Sequence, residues 1–342
     1  MAKHAPRLSV LLPCRDAAST LDEALDSIFR QTFTDFELVA VDDGSTDGSA
    51  ERLEAWARKE ARLRVVRLAP RGLIEALNAG LSACRAPLIA RMDADDRSHP
   101  ERFAEQVRLL DAEPALAAVG CLVEAFPAAE VRPGLALYLA WLNGLTTPES
   151  IGREIYVESP LVHPSVMMRR DWCRRVGDYQ EHGWPEDYDL WLRMHAAGAL
   201  FAKVPRVLFF WREHPGRLTH ASPRYAIESF LQAKVHYLLA GPLAGRGSIL
   251  IWGAGIVGKR LSKLLLARGA PVTGFVDIDP AKIGRTRRGL PVIAPQACLD
   301  LWRTSPDPIL LAAVGARGAR ALVREQIREL GLVEGRDWWA VA

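Results

Sequence analysis

Short apolar runs alternate with amphipathic segments from residue 8 to residue 91. LSVLL stops at Pro13, FELVAV stops at DDGSTDGS, and both runs are typical of buried strands. In chain order the predicted elements are strand 8–12, a helix from Leu21, strand 36–41, helix 49–61, strand 63–68, helix 73–83 and strand 87–91. Strands that alternate with helices predict a mostly parallel sheet with helices on both faces.

The first predicted helix has apolar residues at the i, i+3, i+4, i+7 and i+8 positions from Leu21 to Phe29. Ser19 or Thr20 is the predicted N-cap, and Glu23 stands three residues after Thr20, as in a capping box. We therefore expect side-chain hydrogen bonds to close the amino end of this helix.

The length and the breaks in the pattern predict two domains. A chain of 342 residues is too long for one ordinary domain. GPLAGRG (241–247) follows a helical segment at about 225–240 and precedes SILIWGAGIVG, where a new strand–turn–helix begins. We predict a first domain over 1–220, a helical linker over 221–246 and a smaller parallel-sheet domain over 247–342.

The composition argues against a nucleic-acid-binding protein and against a secreted one. The net charge is +3, from 44 basic and 41 acidic residues, which argues against the concentrated basic face of a nucleic-acid-binding protein. The five cysteines are dispersed without a CxxC pair, so we expect reduced thiols and a cytoplasmic protein. The amino end lacks the apolar region and cleavage site of a signal peptide.

The longest uncharged stretch lies between Arg132 and Glu149, and it is too short and too polar to span a bilayer. Its stripe of Leu135, Leu139 and Leu142 belongs either to the core, which we favour, or to a face that lies on a membrane. Peripheral association with the inner face of a membrane is therefore left open.

Three acidic features stand where ligands bind in open α/β sheets, beyond the carboxyl ends of strands. Asp42–Asp43 follow FELVAV, the DADD sequence at 93–96 follows PLIAR, and Glu186–Asp187 precede a helix in WPEDYDLWLRM. Turn chemistry and helix capping are the structural alternatives for the first and last of these. The three carboxylates of DADD repel one another unless a cation or hydrogen-bond donors neutralise them, and Mg²⁺ or Mn²⁺ suits such ligands.

Four ordered motifs in residues 7–214 resemble the inverting family 2 glycosyltransferases of the GT-A fold. They are the opening segment from LSVLLPC to DDGSTDGS, the segment RGLIEALNAGLSACRAPLIARMDADD, the helix start WPEDYDLWLRM and the later WREHPGRLTH. The resemblance implies an α/β nucleotide-diphospho-sugar transferase domain. It also implies an inverting, metal-dependent transfer from a nucleotide sugar.

The resemblance implies a base pocket at the ends of the first two strands. Asp43 would accept the imide N–H of uracil or thymine, and Pro13 with the loop after it would line the pocket near Arg71. Arg15 stands where the family often has an aromatic residue that stacks on the base. A guanidinium can also stack on a base, so UDP- or dTDP-type donors are favoured but not fixed.

The diphosphate side of the site follows from the same resemblance. Asp93 would contact the donor sugar or the ribose, Asp95 would bind Mn²⁺ or Mg²⁺, and Asp96 would support that metal. His214 is a further metal or diphosphate contact, with an ordinary loop histidine as the alternative, and Arg212 would contact phosphate.

On the acceptor side, the resemblance makes Asp187 the general base, with Glu186 beside it. Asp187 would take the proton of a hydroxyl on a saccharide or lipid-linked saccharide acceptor in surface polysaccharide or glycoconjugate synthesis. The candidates for sugar contacts in the middle segment are Trp141, Asn143, Glu158 and His163. Ordinary packing is the favoured alternative for that group.

The second domain carries a G-x-G-x-x-G sequence between a strand and a helix, formed by Gly253, Gly255 and Gly258, with Asp277 at the end of the next strand. This context is the one that a dinucleotide fingerprint requires. The segment resembles the small Rossmann-like modules attached to sugar-modifying enzymes. We expect a regulatory, accessory or scaffolding module. A bound dinucleotide or nucleotide, with Asp277 on the ribose hydroxyls, and tight strand–helix packing without a ligand are both left open.

Two other functions compete with the transferase. The first is an NAD-dependent sugar-modifying oxidoreductase, and the second is a non-catalytic nucleotide-sugar binding protein. No Tyr-x-x-x-Lys pair follows the glycine sequence, and pure binding has no need of a base beside the acidic cluster. The transferase is therefore the leading hypothesis.

Overall fold

The computed structural model describes residues 5–316 and 318–342, which form two compact units. The first comprises the chain up to Gly152 together with Pro160–Ser222. The second comprises Arg153–Ser159 together with Pro223–Ala342. The domain boundaries inferred from the sequence stay a proposal, since a compact unit need not fold independently.

The first unit is built on an eight-stranded sheet in the order β3-β2-β1-β4-β7-β6-β8-β5. In chain order the elements are β1 (Leu8–Cys14), α1 (Leu21–Phe29), β2 (Phe36–Asp43), α2 (Ser49–Ala57), β3 (Leu63–Leu68), α3 (Leu73–Ala83), β4 (Leu88–Arg91), β5 (Arg97–Ser98), α4 (Arg102–Ala112), β6 (Leu116–Phe126), α5 (Pro133–Asn143), α6 (Pro148–Glu154), β7 (Met167–Arg169), α7 (Arg170–Arg175), α8 (Glu186–Ala196), β8 (Leu200–Arg212) and α9 (Leu218–Ala221).

Strands β1 to β4 run parallel, and β7 is antiparallel to both of its neighbours, β4 and β6. Because β6 and β8 pair in parallel, both run in the same direction as β4. The chain crosses from one side of β1 to the other between β3 and β4. The carboxyl edge at such a reversal is where open α/β sheets bind ligands.

Close packing fixes the helix that follows β3. A Cβ added to Gly80 on α3 would lie 2.1 Å from the Leu11 side chain of β1 and 2.9 Å from the Val41 side chain of β2. Glycine lets the helix approach the sheet at this point. This approach places the amino end of α3 beside the carboxyl ends of both strands.

The second unit has a six-stranded sheet in the order β11-β12-β10-β9-β13-β14, parallel except for the β11–β12 pair. Its remaining elements are α10 (Ile227–Ala240), β9 (Ser248–Trp252), α11 (Ile256–Ala267), β10 (Val272–Val276), β11 (Thr286–Arg287), β12 (Leu290–Ile293), α12 (Cys298–Thr304), β13 (Pro308–Ala312), α13 (Ala319–Glu329) and β14 (Trp338–Ala340). The smaller parallel sheet predicted after residue 246 is present.

Residues 153–159 belong to the second unit although they precede most of it in sequence. Glu154 is buried and forms ion pairs with Arg320 at 3.1 Å and Arg324 at 2.6 Å on α13. The ring of Tyr156 meets Trp339 edge-on, with ring centroids 5.3 Å apart. These contacts join the segment to the carboxyl-terminal helix and strand of the unit.

The predicted capping box at α1 is wrong. Thr20 is the N-cap, but its side chain makes no cap hydrogen bond. Its hydroxyl donates instead to the carbonyl oxygen of Ala94 at 3.0 Å, in the acidic loop after β4. A tertiary partner has therefore replaced the local one, and the hydroxyl joins α1 to that loop.

Apolar side chains that the sequence left between core and membrane lie mainly in the core. Leu139 and Leu142 on α5 are buried, and Leu135 packs against the same core. All five cysteines are buried and free. Among residues 5–316 and 318–342, no helix is long and apolar enough to cross a membrane.

A buried lysine closes the carboxyl end of α5. Lys203 on β8 is 3% exposed, and its Nζ donates to the Leu142 carbonyl oxygen at 2.5 Å. Burial lowers the pKa of Lys203 to about 7, so the amine loses its proton easily in the folded protein. The unfolded chain keeps that proton at higher pH.

Replacing Lys203 with methionine should change how stability depends on pH. Between about pH 7 and pH 9, the wild-type free energy of unfolding should rise relative to that of Lys203→Met, by up to ~1.4 kcal/mol per pH unit, because only the unfolded wild type binds the extra proton. Urea denaturation at several pH values measures this difference. Lys59→Met, at an exposed lysine, should follow the wild type, and parallel curves for Lys203→Met would contradict the lowered pKa.

Candidate active site

Three carboxylates meet directly after β4. One oxygen from each of Asp93, Asp95 and Asp96 lies within 4.8 Å of the others. Asp96 is 1% exposed, and its Oδ2 is a buried oxygen without a hydrogen-bond partner among the described residues. Burial, followed by the charges of Asp95 and Asp93, raises the pKa of Asp96 well above its ordinary value. The cluster therefore has the charge and the open ligand atom that a cation needs.

The end of β8 is bound to this cluster. The backbone N–H of Arg212 donates to Asp96 Oδ1 at 2.7 Å, and its guanidinium Nε donates to the Asp95 carbonyl oxygen at 2.6 Å. The guanidinium also forms an ion pair with Glu23 on α1. His214 Nε2 lies 2.9 Å from Asp95 Oδ2. The structure thus brings His214 and Arg212 to the acidic loop, and their roles as metal or phosphate contacts stay predictions.

Asp43 closes a second loop at the same edge. Its Oδ1 accepts the backbone N–H of Arg71 at 2.7 Å, and its Oδ2 accepts that of Gly72 at 2.9 Å. The guanidinium of Arg15 lies 3.4 Å from the same Oδ2. Asp43 is 3% exposed, and Pro13 pairs with the neighbouring strand beside it. All four residues of the predicted base pocket therefore converge, with Asp43 holding the loop before α3.

The first turn of α8 carries the other acidic pair. Glu186 is 2% exposed, whereas Asp187 is half-buried. Further along the helix, Asp189 accepts the Trp184 indole N–H at 2.8 Å and the Arg193 guanidinium Nε at 2.8 Å, which holds this helix to the preceding loop. The helix start is therefore fixed by buried hydrogen bonds.

A buried arginine links the two acidic regions. Arg91 at the end of β4 is 1% exposed, and its Nη2 donates to Asp93 Oδ1 at 2.7 Å. Burial alone would lower the pKa of Arg91, but the charge of Asp93 and, more weakly, that of Glu186 keep it above its ordinary value. Arg91 therefore lies within electrostatic reach of both the acidic loop and α8.

Residues 9–177 match the sequence profile of the family described as Glycosyl transferase family 2. The Erwinia amylovora protein "Amylovoran biosynthesis glycosyltransferase AmsE" is 33% identical over 198 residues, which cover 57% of this chain and 71% of AmsE. This chain belongs to glycosyl transferase family 2. An Escherichia coli relative, "UDP-Gal:alpha-D-GlcNAc-diphosphoundecaprenol beta-1,3-galactosyltransferase", is 28% identical over 257 residues, covering 73% of this glycosyltransferase and 90% of the relative.

Solved structures show the same fold. S. aureus TarS 1–349, crystallised with UDP-GlcNAc, superposes with a TM-score of 0.57 at 18% identity over 76% of this glycosyltransferase and 71% of TarS. The mannosyltransferase PcManGT from Pyrobaculum calidifontis, in complex with GDP-Man and Mn²⁺, gives a TM-score of 0.53 at 18% identity over 96% and 86%. The predicted α/β fold, a GT-A domain followed by a small parallel-sheet unit, is confirmed.

Three of the four candidates for sugar contacts in the middle segment are buried or packed within the first unit. The Asn143 side chain receives the Val123 backbone N–H at 3.0 Å and donates to the Val123 carbonyl oxygen at 2.8 Å, so it ties α5 to β6. His163 is 7% exposed and lies inside the first unit. Trp141 packs partly buried against the core, beside Tyr138.

The glycine sequence of the second unit serves packing at two of its three positions. A Cβ on Gly258 would lie 1.9 Å from the Gly253 carbonyl oxygen, so only glycine lets α11 begin this close to β9. Gly253 has a φ of +112° and would bring a Cβ to 2.9 Å from the Ala313 carbonyl oxygen. Space around Gly255 is open. The packing alternative therefore explains Gly253 and Gly258.

Asp277 in the same unit already has several donors. Its carboxylate accepts the backbone N–H groups of Ala254 at 2.8 Å and Asp279 at 2.9 Å, and Lys282 Nζ lies 3.1 Å away. Burial alone would raise the pKa of Asp277, but these donors hold it below its ordinary value. A ribose hydroxyl would have to share this carboxylate, so the dinucleotide site stays a prediction.

Arg91 and Tyr179 belong to the site region but escaped the sequence analysis. In the sequence, Arg91 is a single charged residue at the end of the apolar run PLIAR. Tyr179 is buried and lies 2.7 Å from His163, which is 16 residues away in the chain. Helix or strand periodicity does not report such a pair.

The Asp96→Asn variant should distinguish two properties of the acidic cluster: repulsion between its carboxylates, and binding of a cation. The wild-type contribution of a carboxyl with a raised pKa is present at acid pH and lost as the pH rises through that pKa. In chelator, the variant should therefore gain free energy of unfolding relative to the wild type as the pH rises from 4 to 8. It should also lose most of the thermal stabilisation that Mn²⁺ gives the wild type.

Asp35→Asn, at an exposed aspartate, is the matched control and should leave both measurements unchanged. Equal Mn²⁺ stabilisation of the wild type and of Asp96→Asn would show that the cluster is not the cation site.

Proposed function

We propose that this glycosyltransferase moves a sugar, with inversion, from a UDP- or dTDP-type donor to a hydroxyl of a saccharide or lipid-linked saccharide. The observation that carries the proposal is the acidic cluster, in which Asp96 Oδ2 is buried and has no hydrogen-bond partner among residues 5–316 and 318–342. It lies at the sheet edge where Asp43 holds the loop before α3. One edge would thus hold both the base and the diphosphate of the donor.

The donor would lie along this edge. Asp43 would receive the imide N–H of the base, with Pro13 and the Arg15 guanidinium beside it and Arg71 near the loop. Asp43 still has acceptor capacity, since its two carboxylate oxygens have four lone pairs, and two backbone N–H groups and the Arg15 guanidinium occupy three of them. Asp93 would contact the ribose or the donor sugar.

The residues present fit a hard divalent ion. Asp95 and Asp96 offer carboxylate oxygens, which Mg²⁺ and Mn²⁺ prefer as ligands. His214 Nε2 lies within hydrogen-bond distance of Asp95 Oδ2. A bound ion would supply Lewis-acid stabilisation of the departing diphosphate. Arg212, already anchored on the loop, would add a positive charge beside the phosphates.

Asp187 would act as the general base. It is half-buried in the first turn of α8, whereas the neighbouring Glu186 is buried. A single displacement needs one base that takes the acceptor proton while the hydroxyl attacks C1. Asp187 would fill that role, and Glu186 would hold the turn. No covalent intermediate on the protein is needed.

The acceptor class draws support from the relatives. The E. coli relative is named for transfer from UDP-Gal to a GlcNAc linked to diphosphoundecaprenol, and AmsE is named for amylovoran biosynthesis. We therefore propose a role in surface polysaccharide or glycoconjugate synthesis. The solved structures contain UDP-GlcNAc and GDP-Man, so they leave the base of the donor to experiment.

Asp187→Asn tests the base assignment. With a nucleotide sugar, Mn²⁺ and a saccharide acceptor, the variant should lose on the order of 10²- to 10⁴-fold in kcat, the usual contribution of a general base. Its affinity for the nucleoside diphosphate with Mn²⁺ should stay near the wild-type value. Transfer rates, titration calorimetry and the anomeric configuration of the product by NMR provide the three readouts.

Asp171→Asn, in the short helix α7, is the matched control and should turn over normally. Normal turnover of Asp187→Asn would remove the base assignment, and a product with retained configuration would remove the single displacement. Thermal shifts with UDP, dTDP, GDP, CDP and NAD(H) belong beside this assay. Stabilisation by NAD(H) alone, lost in Gly255→Val, would move the chemistry to the second unit.

We also propose that the second unit rests on the anionic inner face of the cytoplasmic membrane. It contains 18 basic and 11 acidic residues, an excess of +7, while the first unit has 26 and 30, an excess of −4. Helix α11 has no acidic residue and exposes Lys259, Arg260 and Lys263 together with Ile256, which is 73% exposed. Basic residues beside an exposed apolar side chain suit anionic headgroups.

A Lys259→Glu/Lys263→Glu double variant tests this surface. Binding to vesicles that contain phosphatidylglycerol should weaken at least on the order of 10-fold, because each basic residue near a charged bilayer contributes about 1 kcal/mol. Co-sedimentation measures it, with pure phosphatidylcholine vesicles and a Lys59→Glu variant as controls. Equal binding of the double variant would show that α11 is not the contact.

A further inference from the structure

A chain of polar side chains connects α3 to the first turn of α8. Asn78 on α3 donates from Nδ2 to the Tyr179 carbonyl oxygen at 2.9 Å and accepts the Tyr179 backbone N–H at 3.1 Å. The Tyr179 hydroxyl lies 2.7 Å from His163 Nε2. His163 Nδ1 lies 3.7 Å from Glu186 Oε1. The chain thus runs from the helix beside the base pocket to the acidic pair of α8.

The chemistry of these groups selects one arrangement of protons. Burial raises the pKa of Tyr179 well above its ordinary value, so the hydroxyl keeps its proton. Burial, followed by the positive charge of Arg91, lowers the pKa of His163, so the ring is neutral. A neutral imidazole that accepts the Tyr179 O–H at Nε2 carries its own proton on Nδ1. That N–H faces the carboxylate of Glu186.

We propose that Tyr179 and His163 are positioning residues: the tyrosine hydroxyl fixes the imidazole tautomer, and the imidazole N–H orients Glu186 and the helical turn that carries Asp187. This inference rests on the proposed role of Asp187 as the general base.

The geometry around the pair supports this role over simple filling of the core. Trp191, one turn further along α8 and fully buried, meets the His163 ring edge-on at 6.1 Å and 80°. Tyr179 and His163 are 3% and 7% exposed. Buried polar groups cost free energy unless they are hydrogen-bonded, and apolar side chains would fill the same space without that cost. The Tyr179–His163 pair therefore provides oriented hydrogen bonds in addition to filling space in the core.

Three variants separate the roles of the two residues. Tyr179→Phe keeps the ring but removes the hydroxyl that selects the tautomer. His163→Gln places an amide near the position of Nε2 and loses the contact with Glu186. His163→Asn places an amide near the position of Nδ1 and can still face Glu186. We expect kcat to fall on the order of 10- to 100-fold in the first two and only a few-fold in His163→Asn.

Affinity for a nucleoside diphosphate with Mn²⁺ should stay unchanged in all three variants, because the base pocket and the acidic cluster are untouched. Tyr156→Phe, which removes a buried hydroxyl in the second unit, is the control and should behave as the wild type. Two results would show that Tyr179 and His163 serve only packing. One is an equal loss of kcat in His163→Asn and His163→Gln, and the other is a loss of kcat that follows thermal stability and donor affinity. Loss in Asp187→Asn but normal turnover in Tyr179→Phe would overturn this inference and leave the proposed function intact.

A measurement that does not depend on turnover reads the tautomer directly. Imidazole ¹⁵N shifts of the wild type, assigned by comparison with His163→Asn, should show His163 protonated at Nδ1. Tyr179→Phe should shift the ring towards a mixture of tautomers. A wild-type ring protonated at Nε2 would overturn the proposal whatever the reaction proves to be.

Discussion

Repulsion between the carboxylates of Asp93, Asp95 and Asp96 is the constraint around which the first unit is arranged. Like charges this close and this buried destabilise a fold unless positive groups or donors surround them. Arg91 approaches from within the sheet, and Arg212 closes the cluster from the end of β8. These strands lie on opposite sides of β7, so positive groups from two separate parts of the sheet meet at one loop.

Asp43, the last residue of β2, and Asp277, the residue directly after β10, have the same structural role in different units. Asp43 accepts two backbone N–H groups from the loop before α3, and Asp277 accepts one from the glycine loop and one from its own loop. Each carboxylate therefore shapes the loop beside which a ligand would lie. An amide at either position would disturb the loop as well as any ligand contact, so loss of binding alone does not identify a direct contact.

The sequence carried the alternation of strands and helices and the acidic residues at strand ends, because both are local patterns. Strand β7 gave no signal, since three residues are too few for a period and its place between β4 and β6 is set by pairing. The contact of His163 with Tyr179, the partner of Thr20 and the burial of Arg91 likewise arise only when distant segments meet. The residue types at strand ends were enough to predict the candidate site. The contacts that support it could be identified only from the folded structure.

Residues 153–159 belong to the second unit although residues of the first unit flank them in sequence. This arrangement limits where the chain can be truncated or recombined. A shortened chain ending at Ser222 would lack both arginines that Glu154 binds and the tryptophan against which Tyr156 packs. A foreign carboxyl-terminal module would also lack these partners unless it supplied equivalent residues for Glu154 and Tyr156. Recombination that exchanges whole modules is thus disfavoured, and the two units should be passed on together.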